Sequence, residues 1–69
     1  MIMKFWIARD EIGNIILFIN EPYQCRIAGT IYWTCNRPAG NYMYLPQESF
    51  PEVTFENSPQ EVELKLVDK

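Results

Sequence analysis

Histidine is absent from this chain of 69 residues. That removes the side chain most used for general acid–base catalysis and the commonest metal ligand. Cysteine occurs only as Cys25 and Cys35. Two thiols without further ligands do not complete a four-coordinate zinc site within one chain. Ser49 and Ser58 are the only serines, both near prolines and with no base in view. Gly13, Gly29 and Gly40 stand singly, so no glycine-rich loop is present to cradle a phosphate. The longest unbroken aliphatic–aromatic run, Ile15 to Ile19, is far shorter than the roughly 20 residues of a membrane span. No apolar segment of a signal peptide follows Met1. These absences lead us to expect a cytoplasmic protein that is not an enzyme, with no metal, no cofactor and no membrane contact. In a reducing compartment Cys25 and Cys35 are expected as free thiols, although a hairpin could bring them opposite each other.

What is present is hydrophobic. The apolar fraction is 48%, with two tryptophans, four tyrosines and four phenylalanines. Large rings bury much area each, so a thin core is feasible in a single domain spanning 1–69. Area burial minus chain entropy comes out near zero at this length. The expectation is a marginally stable monomer, or a homodimer that adds burial.

Hydrophobic periodicity reads as strands throughout. Residues 4–9 alternate, with Phe5 and Ile7 on one face and Trp6 and Ala8 on the other. Asp10 to Asn14 is a turn, in which Gly13 and Asn14 are best able to adopt positive φ. Residues 15–20 are apolar on both faces, as a central strand would be. After Pro22 the chain resumes at Cys25, and Gly29 marks a bulge or bend before Thr30 to Cys35. Asn36 to Asn41 is a loop, Tyr42 to Leu45 a short strand, and Glu61 to Leu66 a strictly alternating strand whose charges suit a sheet edge. Between them, Ser49 and Glu52 have the spacing of a helix capping box. The fold class predicted is all-β: a single small antiparallel sheet of about five strands, strongly curled or a small barrel. It carries a short irregular or one-turn helical segment near 49–54. Phe50, Val53 and Phe55 would let that segment cover one face or an open end.

Charge is unevenly spread. Residues 46–69 hold Glu48, Glu52, Glu56, Glu61, Glu63 and Asp68 against only Lys65 and Lys69, and the whole chain is at −3. An acidic balance argues against nucleic acid, whose binders are basic. A protein-interaction module fits better. If Ile31, Trp33 and Cys35 face the core, Tyr32 faces outward, and Tyr42 and Tyr44 share a face. These three tyrosines, rimmed by Arg37, form the candidate interaction patch, of the amphipathic kind enriched at interfaces. Two alternatives stay open. One is a small β-barrel binding single-stranded nucleic acid through Trp6 or Trp33 with Arg26 and Arg37. The other is an acidic inhibitor that presents Glu61 and Glu63 to a nucleic-acid-binding protein.

Two stretches carry a resemblance: Ile7-Ala8-Arg9-Asp10 with Gly13, Ile15 and Leu17-Phe18, and Phe50 to Glu56 with Pro59 and Glu61 to Leu64. Together they resemble a group of small bacterial and phage-associated proteins of gut bacteria, over about half of the chain. Glu21 to Gln47 lies outside the likeness. No activity is assigned to that group, so the resemblance carries over no functional residue. It implies a bacterial, cytoplasmic setting and an accessory role in a phage or mobile element.

Overall fold

The computed structural model describes residues 3–35 and 42–64. They are all-β, as the periodicity predicts, with six strands and no helix. The strands are β1 (Met3–Arg9), β2 (Ile15–Phe18), β3 (Tyr23–Ile27), β4 (Thr30–Thr34), β5 (Tyr42–Leu45) and β6 (Gln60–Leu64). They divide into two antiparallel sheets rather than one. A four-stranded sheet runs β5-β2-β1-β6, and β3-β4 is a separate hairpin. No barrel closes among the described residues.

The division follows from the turns. The β1–β2 turn is closed by the Asp10 amide donating to the Asn14 carbonyl at 2.8 Å and the Gly13 amide donating to the Asp10 carbonyl at 3.0 Å. Gly13 sits at φ 97°, and Asn14 does not adopt positive φ. The predicted bend at Gly29 is instead a tight hairpin turn. Ile27 pairs with Thr30, so Ala28 and Gly29 are its two central residues, at φ 50° and 85°. Positive φ at both positions is the geometry that matches strand twist, and Asn-Gly is its preferred pair. Alanine there is strained by roughly 1–2 kcal/mol. Ala28→Asn is therefore expected to stabilise the protein by about 0.5–1 kcal/mol, read from the urea midpoint. No gain would mean that Ala28 is not left-handed in solution.

The four-stranded sheet is covered on both faces. On one, Ala8, Ile16 and Phe18 pack with Trp33 of β4, joined by Trp6 and Cys35. On the other, Ile7 and Ile15 pack with Val53, joined by Leu17, Leu45 and Val62. Val53 is thus the central contact of the segment between β5 and β6, and burying a valine contributes about 1.5–3 kcal/mol. That segment is a cover, as its apolar residues predict, but it is built of turns. The capping box at Ser49 and Glu52 starts no helix: the Ser49 amide donates to the Pro46 carbonyl, and the Val53 amide to the Phe50 carbonyl. Phe50 lies at φ 50° and stays exposed.

Two side chains at the end of β1 hold these layers on. The Arg9 guanidinium donates to five main-chain carbonyls: Val53 at 2.7 Å, Gly13 at 2.8 Å, Ser49 at 2.9 Å, Gln47 at 3.1 Å and Phe50 at 3.3 Å. Five is the full complement of donors on a guanidinium. Asp10 works on the opposite face. Its Oδ1 accepts the Trp33 amide at 2.8 Å, and the neighbouring Glu11 Oε1 accepts the Ile31 amide at 3.1 Å. The two carboxylates thereby satisfy the free edge of β4, which would otherwise present unpaired amides.

Candidate functional site

The hairpin covers only part of its face of the sheet. Between it and β5 lies an open cleft of about 320 Å³, with Ile16 and Phe18 from β2 and Trp33 from β4 among its lining. Tyr42 and Tyr44 line it from β5, and Tyr32, Cys25 and Ile27 from the hairpin. The three tyrosines of the predicted patch therefore meet at one cleft. They do so across two sheets, where neighbouring strands of one sheet were expected. Arg37 lies outside the described residues.

Alternation places these rings. Tyr44 pairs with Ile16 and Tyr42 with Phe18, so both rings share the face on which Ile16 and Phe18 point. Met43 and Leu45 point to the other face. Tyr42 and Tyr44 meet edge to face, with ring centroids 6.1 Å apart. Phe18 lies 6.1 Å from Tyr42 in a tilted arrangement. Tyr44 remains 60% exposed and Tyr42 44%, and a core position would have hidden both.

The main chain of β5 is placed as precisely. Asp10 and Asn14 form a hydrogen-bonded pair, so alternation turns the main-chain groups of Ile16 and Phe18 toward β1. Those of Ile15 and Leu17 then turn toward β5 and meet Leu45 and Met43. The amides and carbonyls of Tyr42 and Tyr44 face away from β2, along an edge that pairs with no strand among the described residues.

A buried acid lies near this cleft. Asp10 is 2% exposed, and its Oδ2 has no hydrogen-bond partner among the described residues. Burial pushes its carboxyl above the ordinary 3.8, and the bond from the Trp33 amide pulls the other way. The Tyr44 phenol is also raised, above 10.0, first by desolvation and then by the charges of Asp10, Tyr42 and Tyr32. The negative potential of Asp10 thus reaches Tyr44. Sequence reasoning placed Asp10 only in a turn, and nothing local marks it as buried.

The residues of the nucleic-acid reading are less available. Trp33 is 8% exposed, and its indole N–H donates to the Arg9 carbonyl at 3.1 Å. Trp6 is half-buried against the same cluster. Trp33 is therefore poorly placed to stack a base. Arg9 is saturated by carbonyls of the cover segment and of Gly13, whereas Arg26 is exposed on β3. Glu61 and Glu63 are exposed on β6, with Glu61 3.6 Å from Lys4. The thiols of Cys25 and Cys35 are free, and the register sets Cys25 across from Tyr32. Among the described residues no three His, Cys, Asp or Glu side chains gather as a metal site would need. No helix there is long and apolar enough to cross a membrane. No protein-family profile, curated protein or solved structure matches this chain.

Proposed function

We propose that this protein is a small, non-catalytic binding module that engages a partner protein through the cleft framed by Tyr32, Tyr42 and Tyr44. The observation that carries this reading is the convergence of the three rings on one open, largely apolar cleft while Tyr42 and Tyr44 stay exposed. Tyrosine suits such a surface, because its ring supplies contact area and its hydroxyl tolerates water. The setting proposed is the bacterial cytoplasm, with an accessory role in a phage or mobile element.

Tyr44→Ala tests the reading. The ring is mostly exposed, so the urea midpoint should change by no more than about 0.5 kcal/mol, as for surface positions generally. Capture of the partner should fall at least tenfold, since aromatic anchors dominate interface energetics. A variant that unfolds would place Tyr44 in the core. A variant that folds and captures the partner undiminished would remove the cleft from the interface.

A further inference from the structure

We infer that the partner enters as an extended segment that adds a strand to the open edge of β5 and lowers alternate side chains into the tyrosine cleft. This inference rests on the reading of the cleft as the binding surface and names what occupies it.

Three observations converge. The first is the edge itself. The main-chain groups of Tyr42 and Tyr44 point outward, and β5 pairs on that side with no strand among the described residues. An open edge of this kind is a template for another extended chain. The second is the contrast between the two edges of the sheet. β6 carries Glu61 and Glu63, the charges that ordinarily block edge pairing, whereas β5 (Tyr-Met-Tyr-Leu) carries no charge and no proline. The third is register. Side chains directly opposite one another on adjacent strands share a face. Residues of an added strand opposite Tyr42 and Tyr44 would therefore point to the cleft side. The same two residues supply the ladder and the pocket. A cleft of about 320 Å³ accommodates one or two apolar side chains of such a segment.

Size argues against a second copy of this chain as the occupant. At about 3.4 Å per residue β5 is about 14 Å long, and a sheet is about 10 Å thick. Two such strands side by side would cover on the order of 300 Å² in total, far below the roughly 1,200 Å² of a stable interface.

The outward amides give the test its specificity. Proline at position 44 removes an N–H that bonds nothing in β2 and leaves the bonds of Met43 and Leu45 intact; proline is tolerated on edge strands for this reason. Random twelve-residue peptides displayed on phage are selected on the immobilised protein. Enriched peptides are then titrated against the wild type, Tyr44→Ala and Tyr44→Pro. The expected result is a loss of affinity in Tyr44→Ala and a further loss of at least fivefold in Tyr44→Pro. Folding is checked by the amide NMR spectrum, and Tyr42→Ala with Tyr42→Pro repeats the comparison if Tyr44→Pro does not fold. Equal affinities of the alanine and proline variants would overturn strand addition while leaving the cleft as the binding surface. Enrichment of no peptide would also overturn it, and capture of a folded partner would then decide the cleft reading alone. A concentration-dependent dimer of the wild type, lost in Tyr44→Pro, would assign the edge to a second copy and overturn the inference as stated.

Discussion

Arg9→Ala is expected to destabilise the protein by about 3–5 kcal/mol, enough to leave much of a domain this small unfolded. Five carbonyls converge on one guanidinium, four of them from the cover between residues 47 and 53. A hydrogen bond to a charged donor contributes about 1.5–3 kcal/mol net. Most of these carbonyls reach water once Arg9 is removed, so the loss is well below five times that value. Val53 is the exception in its consequences. When its carbonyl is released, the side chain that fills the gap over Ile7 and Ile15 loses its position. Phe50 adds to the effect, because its left-handed backbone is strained and Arg9 helps to hold it. Arg9→Lys is expected to recover less than half of the loss. An ammonium has three donors at one point and does not reach carbonyls spread around a planar fork. Thermal unfolding followed by circular dichroism checks both variants. A shift of only a few degrees in Arg9→Ala would mean that Val53 alone fixes the cover.

The second large effect lies on the opposite face. Asp10→Ala removes the acceptor of the Trp33 amide in a buried site, and an orphaned donor costs about 1–3 kcal/mol. It also frees the edge of β4 and loosens the wall of the cleft. Asp10→Asn keeps the acceptor and removes a charge held away from water, so it should lie within about 1 kcal/mol of the wild type at neutral pH. The two variants differ in a way that pH exposes. In the folded protein the Asp10 carboxyl titrates above 3.8, because burial disfavours its charged form. As pH rises from about 3.8 the unfolded chain ionises first, so this group draws the equilibrium toward unfolding until pH passes its folded value. Wild type should therefore lose stability relative to Asp10→Asn as pH rises through that window. Urea midpoints of both proteins between pH 3 and 7 read the difference. A wild type that gains stability relative to Asp10→Asn with rising pH would mean that the folded site favours the ionised carboxylate.

The strands were legible because alternation is a local property. β1, β2, β5 and β6 start within a residue of where the apolar pattern places them. The tyrosines were legible for the same reason, since Tyr42 and Tyr44 must share a face whatever lies above them. What the pattern did not carry is how the layers attach. Arg9 reads as a charged strand end, and the partners of its guanidinium lie up to 44 residues away. Asp10 reads as a turn residue, yet it is buried because the hairpin folds back onto it. The separate second sheet was hidden in Ala28, a residue that rarely takes the left-handed conformation of a two-residue hairpin turn.

The residues that hold the layers, Arg9 and Asp10, are thus distinct from the tyrosines proposed to bind a partner. The most direct test is capture of partners by the tagged protein from a lysate of the cells that encode it, with and without nuclease, read by mass spectrometry. The expected result is one protein partner at stoichiometric yield, retained after nuclease and lost with Tyr44→Ala. Material that disappears with nuclease would contradict it and return the function to nucleic-acid binding.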